Sequence, residues 1–364
     1  MKRGLKIVLI HQDLFFQGGE YVVAKLANGF AARGHEVHVI VSKVHDDIAA
    51  AHPEAKPFAL DESIALHVLP FRRAMYNVLP LAVLLRKLKA DVVLPNTGHY
   101  NLCVAYAKRL LAIKAPTVYV EHNLIHPTTS KRYRWALQSA DRIIAVSKGV
   151  RQAVIDSGVA ANKVSVVYNP VLDDEFDTKR ECLAKHPWLK RPHPFTFAAA
   201  GALCHRKGFD WLIEAFSFVH AEMPEVRLVI FGKGEEESVL KEKIANLGLQ
   251  ETVSLAGFTD NLLAELSAAD GFVLSSRHET FGIVLVEAFG CGIPVIAGDC
   301  LCGPREVLDN GRLGALVPVD DAEAMAKAMA EVAQGRRFDR PDITPYKTEA
   351  SLDAYEKVLR EITD

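Results

Sequence analysis

The chain has no apolar run that approaches the length of a membrane span; its greasy stretches, such as Leu5 to Ile10 or Gly271 to Leu274, have the length of buried strands. Met1-Lys2-Arg3-Gly4 leads straight into Leu5 to Ile10, which is too short for the apolar core of a secretory leader, so none is expected. Cysteine is scarce: of the six, Cys103, Cys182, Cys204, Cys291, Cys300 and Cys302, only the last two are close. Their spacing is neither a zinc ribbon nor a redox pair, and the expectation is reduced thiols in a cytoplasmic protein. No Gly-x4-Gly-Lys-Ser/Thr occurs, which excludes a P-loop kinase, and no set of His, Cys, Asp and Glu has metal-ligand spacing. No nucleic-acid partner is expected. Low-complexity and repeated segments are absent as well.

What is present is an ordinary globular composition spread over 364 residues, with 49% apolar and 24% charged side chains. A chain of that length exceeds what one core usually supports and implies two domains. The net charge of −2 hides an asymmetry. Residues 1 to 170 hold 22 Lys+Arg against 12 Asp+Glu, giving +10; the rest hold 43 − 22 = 21 against 45 − 12 = 33, giving −12. A basic first half is suited to meeting something anionic.

Hydrophobic patterning reads as alternating strands and helices. Leu5 to Ile10 is a strand, Gln17-Gly18-Gly19-Glu20 a turn, and a helix pattern through Val22, Val23, Leu26, Ala27 and Phe30 leads to Gly34 and a strand over Glu36 to Val41. Residues 42 to 63 read as polar loop. Further strands are expected at Ile64 to Leu69, Asp91 to Leu94, Pro116 to Glu121, Arg142 to Ser147 and Val164 to Val167, with helices from about Leu102 to Ala112, through Tyr133, Trp135 and Leu137, and from Lys148. Residues 171 to 194, with mixed charge and Pro187, Pro192 and Pro194, read as a linker. A second series then places strands near 195 to 200, 226 to 231, 252 to 256, 271 to 275, 293 to 297 and 314 to 317, and a last helix of the series at Asp321 to Val332. Gly335 to Pro345 connects to a final amphipathic helix, about Thr348 to Ile362. The domains expected are residues 1 to 170, 195 to 345, and the closing helix 346 to 364. Such alternation builds parallel sheets with helices on both faces, an α/β class.

In open sheets of this class, ligands bind beyond the carboxyl ends of the strands. The unusual polar residues fall there repeatedly: Gly18-Gly19 after the first strand, His122 after the Pro116 strand, Arg206-Lys207 after the strand at 195, Glu279 after the Gly271 strand, and Gly303-Pro304-Arg305-Glu306 after the strand at 293. Adjacent glycines let backbone approach a ligand closely, and equally make a plain tight turn. The stretch is not Gly-x-Gly-x-x-Gly, so it gives little support to dinucleotide binding. Arg206 and Lys207 stand just before a helix start, where cations and free amides suit a diphosphate; a solvated basic turn is the other reading. His122 reads as a core histidine or as a ligand contact. His11, His99, His126, His205 and His278 receive no role. The pairs Asp46-Asp47, Asp173-Asp174 and Asp320-Asp321 read as solvated.

The stretch Ser275 to Gly290 runs from a buried strand into an apolar helix and places two carboxylates, Glu279 and Glu287, on otherwise greasy surroundings. A buried carboxylate needs hydrogen-bond partners. Helix dipole and backbone could supply them, or ligand hydroxyls could, with the amides of Phe281, Gly282, Ile283 and Val284 facing an anion at the helix start.

Taken together, Gly18-Gly19-Glu20, Glu121-His122, Gly201-x-Leu203 to Arg206-Lys207-Gly208, and Glu279 to Glu287 with Phe281-Gly282 and Gly292-Ile293-Pro294-Val295 resemble the retaining glycosyltransferases of family 4. The resemblance covers nearly the whole chain. It implies the GT-B fold, two Rossmann-like domains facing across a cleft with a final helix crossing back to the first. It implies transfer of a sugar from a nucleoside-diphosphate donor, UDP ahead of GDP, with retention and without a metal or other cofactor, to a glycan or lipid-linked acceptor. Gly303-Pro304-Arg305-Glu306 with Asn310-Gly311 resembles members that build bacterial surface polysaccharides, including lipopolysaccharide. Carried over, Arg206 and Lys207 hold the diphosphate, Glu279 the sugar hydroxyls, Glu287 the ribose, Gly18 and Gly19 the reacting phosphate and acceptor, and His122 the transferred sugar. Ala202 stands where the family pattern often has Arg, which leaves one phosphate contact to another residue. A nucleotide-sugar 2-epimerase on the same fold, or a non-catalytic nucleotide-sugar binding protein, are the competing classes. The basic first half, with Arg86, Lys87 and Lys89 beside Val83, Leu84, Leu85 and Leu88, suits either peripheral docking on the anionic cytoplasmic face of the inner membrane or the steering of an anionic donor and acceptor into the cleft.

Overall fold

The computed structural model describes residues 3–14, 18–42, 59–125 and 129–363. Gln17, Asp46-Asp47, His126 and most of the polar stretch 42 to 63 lie outside the described residues. The chain divides into two units, Met1–Val171 with Pro345–Asp364, and Leu172–Thr344.

The first unit runs β1 (Lys6–Ile10), α1 (Gly18–Ala32), β2 (Glu36–Ser42), β3 (Ala65–Leu69), α2 (Val78–Leu88), β4 (Val92–Pro95), α3 (Gly98–Leu111), β5 (Val118–Glu121), α4 (Lys131–Ser139), β6 (Arg142–Ala145), α5 (Lys148–Asp156) and β7 (Val164–Val166). A 4-stranded sheet of order β3-β2-β1-β4 and a 3-stranded sheet β5-β6-β7 are joined by a parallel bridge between Val93 and Thr117. All pairings are parallel. β4 and β5 are buried at every residue, as parallel strands covered on both faces must be. Ser130 and Ser147 cap α4 and α5 through their side-chain oxygens, each offering an acceptor to a first-turn amide.

The second unit runs α6 (Phe176–Arg180), β8 (Thr196–Ala200), α7 (Phe209–Glu222), β9 (Arg227–Phe231), α8 (Glu237–Asn246), β10 (Val253–Gly257), α9 (Leu262–Ala268), β11 (Gly271–Leu274), α10 (Ile283–Cys291), β12 (Val295–Gly298), α11 (Pro304–Val307), β13 (Ala315–Val317) and α12 (Ala322–Ala333). Its 6-stranded parallel sheet has the order β10-β9-β8-β11-β12-β13. On one face, alternate strand residues such as Phe197, Leu228, Ile230, Val273 and Ile296 share a core with Trp211, Leu212 and Phe216 of α7 and Met325, Met329 and Val332 of α12. The intervening residues Ala198, Val229, Phe272 and Val295 are buried as well, so both faces are covered.

Residues 171 to 194 are not a free linker. Phe176 and Leu189 are buried, the Lys185 and His186 amides donate to Glu265, and Arg191 and His193 reach Asp270 and the Ala268 carbonyl, so nearly all of the stretch packs onto the second unit. Mixed charge and proline hid the few apolar anchors that fasten it.

The last helix, α13 (Thr348–Thr363), belongs to the first unit. A side chain at Gly29 of α1 would collide with Leu352, so glycine is what admits α13 to that distance. Arg33 then ties α1 to Glu349, Asp353 and Glu356, and Phe30 packs edge-on against Tyr355. No helix among the described residues is long and apolar enough to cross a membrane.

Candidate active site

In both sheets the first strand of the unit lies beside the fourth, which is where the winding direction reverses and where such folds open a crevice at the carboxyl edge. In the second unit the register pairs Phe197 and Ala198 of β8 with Gly271 and Phe272 of β11, so the loops that follow leave the same edge side by side. One carries Gly201 to Gly208, the other Ser275 to Gly282.

Lys207 and Glu279 meet there, Nζ to Oε1 at 2.5 Å, with side chains only 14% and 9% exposed. Ser276 Oγ donates to the same carboxylate oxygen at 2.8 Å. The lysine stem crosses directly over Gly201, whose missing Cβ would lie 3.2 to 3.3 Å from Cγ, Cδ and Cε. Gly208, at φ 67°, turns the chain from this loop into α7; a Cβ there would strike the Ser275 carbonyl and the Trp211 indole. Those same groups lock the two loops together: Trp211 Nε1 donates to the Ser275 carbonyl at 2.8 Å, and Ser275 Oγ to the Lys207 carbonyl at 2.9 Å.

Arg277 makes the third fastening. Its amide donates to the Arg206 carbonyl and its guanidinium to the His205 carbonyl, and it forks onto both oxygens of Asp210 at 2.8 Å while reaching Asp320 at 2.7 Å. Burial pushes the Asp210 carboxyl up, but these bonds outweigh it and hold it below the ordinary aspartate range. Arg277 is a positioning residue that the sequence left unassigned; its partner Asp210 is far away along the chain, and no local spacing links the two. Asp320 makes this contact from the surface, its side chain 52% exposed, in accord with its reading as solvated.

Glu279 is followed by Phe281, which is buried, and by Gly282 at φ 91°, the residue before α10. A left-handed backbone suits glycine there. The first amides of α10, on Ile283 and Val284, have no acceptor inside their own helix and make its start electropositive. Glu287 stands on the second turn, half-buried. Gly303 backs the turn: a Cβ on it would meet the Phe281 backbone. Arg206 is exposed and has no ion-pair partner among the described residues, so of the two expected cations only Lys207 is held in place by the protein.

The first unit repeats the arrangement. Ile10 pairs with Pro95, and beyond β1 comes His11, buried, its Nδ1 against the Asp13 carbonyl at 2.9 Å. Burial lowers its pKa. The Cα of Gly19 faces this ring, since a Cβ there would lie 3.6 Å from His11 Nε2, an ordinary contact distance. Gly19 is therefore not glycine for want of room or for a left-handed backbone. Gly18, beside it, is exposed at the start of α1.

His122 follows β5. Its Nε2 is enclosed without a hydrogen-bond partner, and burial, helped by the neighbouring His11, pushes its pKa down to about 4. Near neutral pH it is an uncharged imidazole. Glu121, just before it, is fully buried and accepts from Tyr133 Oη, from the Asn123 amide at 3.1 Å and weakly from Asn101 at 3.5 Å. Burial raises its pKa to about 7 against these bonds. His11 and Glu121 belong to this site although the sequence assigned them nothing of their own. The signal was there in their place at the ends of β1 and β5. Among the described residues no three His, Cys, Asp or Glu side chains cluster as metal ligands, and every described cysteine is a free thiol.

Two doubly wound parallel units, each with polar side chains collected at the carboxyl edge of its sheet, define an α/β protein of the nucleotide-binding-like fold class. Comparison with known proteins narrows this. The model described as Glycosyltransferase Family 4 matches residues 16–175, and the one described as Glycosyl transferases group 1 matches residues 184–347. The chain belongs to these glycosyltransferases, and its fold is GT-B. It is 34% identical over 167 residues to the lipopolysaccharide core biosynthesis glycosyltransferase LpsE of Rhizobium meliloti, covering 44% of this chain and 48% of that protein. It is 25% identical over 355 residues to the N-acetylgalactosamine-N,N'-diacetylbacillosaminyl-diphospho-undecaprenol 4-alpha-N-acetylgalactosaminyltransferase of Campylobacter jejuni, covering 94% of this chain and 93% of that protein. Anabaena HepE, solved in complex with UDP, superposes with a TM-score of 0.74 at 21% identity over 98% of this chain and 100% of that one. The first four curated relatives are matched over only a quarter to a half of their length, 25% to 48%.

Proposed function

We propose that the chain is a retaining glycosyltransferase that moves a sugar from a UDP-sugar to a glycan or lipid-linked acceptor, at the cytoplasmic face of a membrane, in the assembly of bacterial cell-surface polysaccharide. The observation that carries this is the Lys207–Glu279 pair at the switch point of the second unit, beside the electropositive start of α10. A diphosphate needs cations and free amides, a sugar needs a carboxylate for its hydroxyls, and here the two lie within one hydrogen bond of each other. Names of relatives that act on lipopolysaccharide core and on a polyprenyl-diphosphate glycan support the acceptor class.

In this reading Lys207 turns from Glu279 to the donor diphosphate, joined by Arg206 and the amides of Phe281 to Val284. Glu279 takes sugar hydroxyls and Glu287 the ribose hydroxyls. In the first unit the uncharged His122, with its Nε2 unpartnered, is assigned to a ligand hydroxyl, and Gly18 and Gly19 offer backbone to phosphate and acceptor. The acceptor oxygen bonds to the anomeric carbon on the face from which the diphosphate departs. As the bond between the anomeric carbon and the donor diphosphate oxygen breaks, that departing phosphate oxygen takes the acceptor hydroxyl's proton. The charge that grows on the leaving group is what Lys207, Arg206 and the helix amides stabilise, with no metal in the step.

The test is calorimetry of the two glutamates. Glu287→Ala weakens UDP itself at least tenfold, while Glu279→Ala leaves UDP within a few-fold and weakens the UDP-sugar. The reverse pattern exchanges the two assignments, and no effect of either removes them from the donor site.

A further inference from the structure

The first sheet stops holding the chain just before His122. The β5–β6 ladder ends with Glu121 opposite Ala145, and His122 and Asn123 lie beyond it. Among the described residues their two amides find no backbone acceptor. Both turn instead to the side chain of Glu121, the Asn123 amide at 3.1 Å from Oε1. A carboxylate that takes the next two amides of its own chain fixes the turn those peptides make. That turn carries the His122 ring, whose Nε2 is left without a partner.

The other carboxylate oxygen reaches away from the turn. Oε2 accepts from Tyr133 Oη of α4 and, at 3.5 Å, from Asn101 Nδ2 of α3, which also donates to Tyr133 Oη at 3.3 Å. Both helices are fastened at these points. The Tyr133 amide lies 3.3 Å from Ser130 Oγ, and the Asn101 amide donates to the Thr97 carbonyl at 2.8 Å. Gly98 makes room for the phenol, since a Cβ there would stand 2.9 Å from Oη. Glu121 is 1% exposed and Asn101 fully buried. Closing a strand does not call for a buried acid: β6 and β7 end in Ala145 and Val166. A carboxylate kept out of water needs a reason beyond packing.

We infer that Glu121 is the positioning residue for His122: its side chain spans from the turn that carries the imidazole to the first turns of α3 and α4, and so sets where the ring stands for a ligand hydroxyl. The inference rests on the reading of His122 as a ligand contact. It requires reach rather than charge. Glutamine spans the same distance: its oxygen takes the two amides and its nitrogen donates to Tyr133 Oη, whose own proton passes to Asn101 Oδ1, a buried atom otherwise without a partner. Aspartate keeps the charge but is one methylene too short to hold both ends.

Histidine labelled with ¹³C at Cε1 reports the imidazole by NMR on the full chain without ligand, the His122 signal being the one missing from His122→Gln. In the wild type the ring is neutral at pH 6, because burial holds its pKa down to about 4. Glu121→Gln leaves that signal in place. Glu121→Asp and Tyr133→Phe each free the turn, the ring meets water, and it becomes roughly half protonated at pH 6 as its titration moves toward the ordinary range. Tyr133→Phe adds no charge, which separates loosening from the field of the aspartate, and it adds nothing further to Glu121→Asp, where the span is already broken. The two variants cut the span at opposite ends, so a fold lost in one, seen by circular dichroism, leaves the other to decide. Release of UDP from UDP-glucose, UDP-galactose and UDP-N-acetylglucosamine follows the same order: kcat falls about tenfold in both variants while the donor KM stays within about threefold, and Glu121→Gln recovers most of the rate. Undiminished turnover in His122→Gln with the NMR pattern intact refutes the ligand contact and leaves the positioning standing. A Glu121→Gln signal displaced as far as that of Glu121→Asp overturns the inference, as does a Tyr133→Phe spectrum with His122 unchanged.

Discussion

Replacing Lys207 with Met keeps the stem that crosses Gly201 and removes the ammonium. The carboxylate of Glu279, 9% exposed, then keeps only Ser276 as a partner. Removing one member of a buried pair generally costs about 3–5 kcal/mol, because the other charge stays desolvated. Here one hydrogen bond survives and part of the carboxylate reaches solvent, so about 2–3 kcal/mol is the expected loss. For a unit of this size 1 kcal/mol moves the midpoint by about 2–4 °C, so the transition of the second unit drops by about 5–10 °C. The double variant Lys207→Met with Glu279→Gln has no charge left to strand. Its amide still accepts from Ser276, and most of the lost stability returns. Donor turnover does not return, because removal of a charge-assisted contact to the leaving group costs roughly 10²–10³ in kcat. Calorimetric melting of wild type, both single variants and the double variant gives the coupling directly. A double variant no more stable than Lys207→Met refutes the stranded-carboxylate argument, and a double variant with wild-type turnover removes Lys207 from the chemistry.

Two further outcomes are expected. Glu121 is raised to about 7 from an ordinary 4.5, so its contribution to stability is full below 4.5 and is lost as pH rises to 7, by roughly 3 kcal/mol, while His122, lowered to about 4 from 6.5, contributes stability above 6.5 that is lost as pH falls toward 4. The slopes oppose each other, and denaturant titrations of Glu121→Gln and His122→Gln between pH 4 and 7.5 should each expose the other group's slope; two parallel curves would show that neither shift is real. Donor turnover is expected to persist after extensive EDTA treatment, since the proposed cations are side chains, and a strict requirement for Mg²⁺ or Mn²⁺ measured in the same assay would overturn that part of the mechanism.

Much of the architecture was legible in the order of residues. Parallel strands buried on both faces are short apolar runs, and Lys6–Ile10, Arg227–Phe231 and Gly271–Leu274 were found as such because nothing else in a chain is so uniformly greasy over that length. The carboxyl-edge positions of Lys207, Glu279 and His122 followed from alternation alone, since every loop after a strand opens at that edge. The left-handed turns at Gly208 and Gly282 were seen only in the structure.

Other features were decided only by folding. The stretch 171 to 194 has the composition of a linker, and its attachment depends on Glu265 and Asp270, which are acids on distant elements. Arg277 was one more charged loop residue until the sheet brought Asp210, Asp320 and two carbonyls around it. Glu121 and His122 are neighbours in sequence. Burial moved them in opposite directions, because desolvation penalises whichever form is charged, the anion in one and the cation in the other. The sequence by itself therefore determined the alternating units and the edge where the polar residues gather. Which of those residues hold one another, and which stay without a partner, was decided by the tertiary structure, because desolvation and hydrogen bonding act over a few ångströms between groups far apart along the chain.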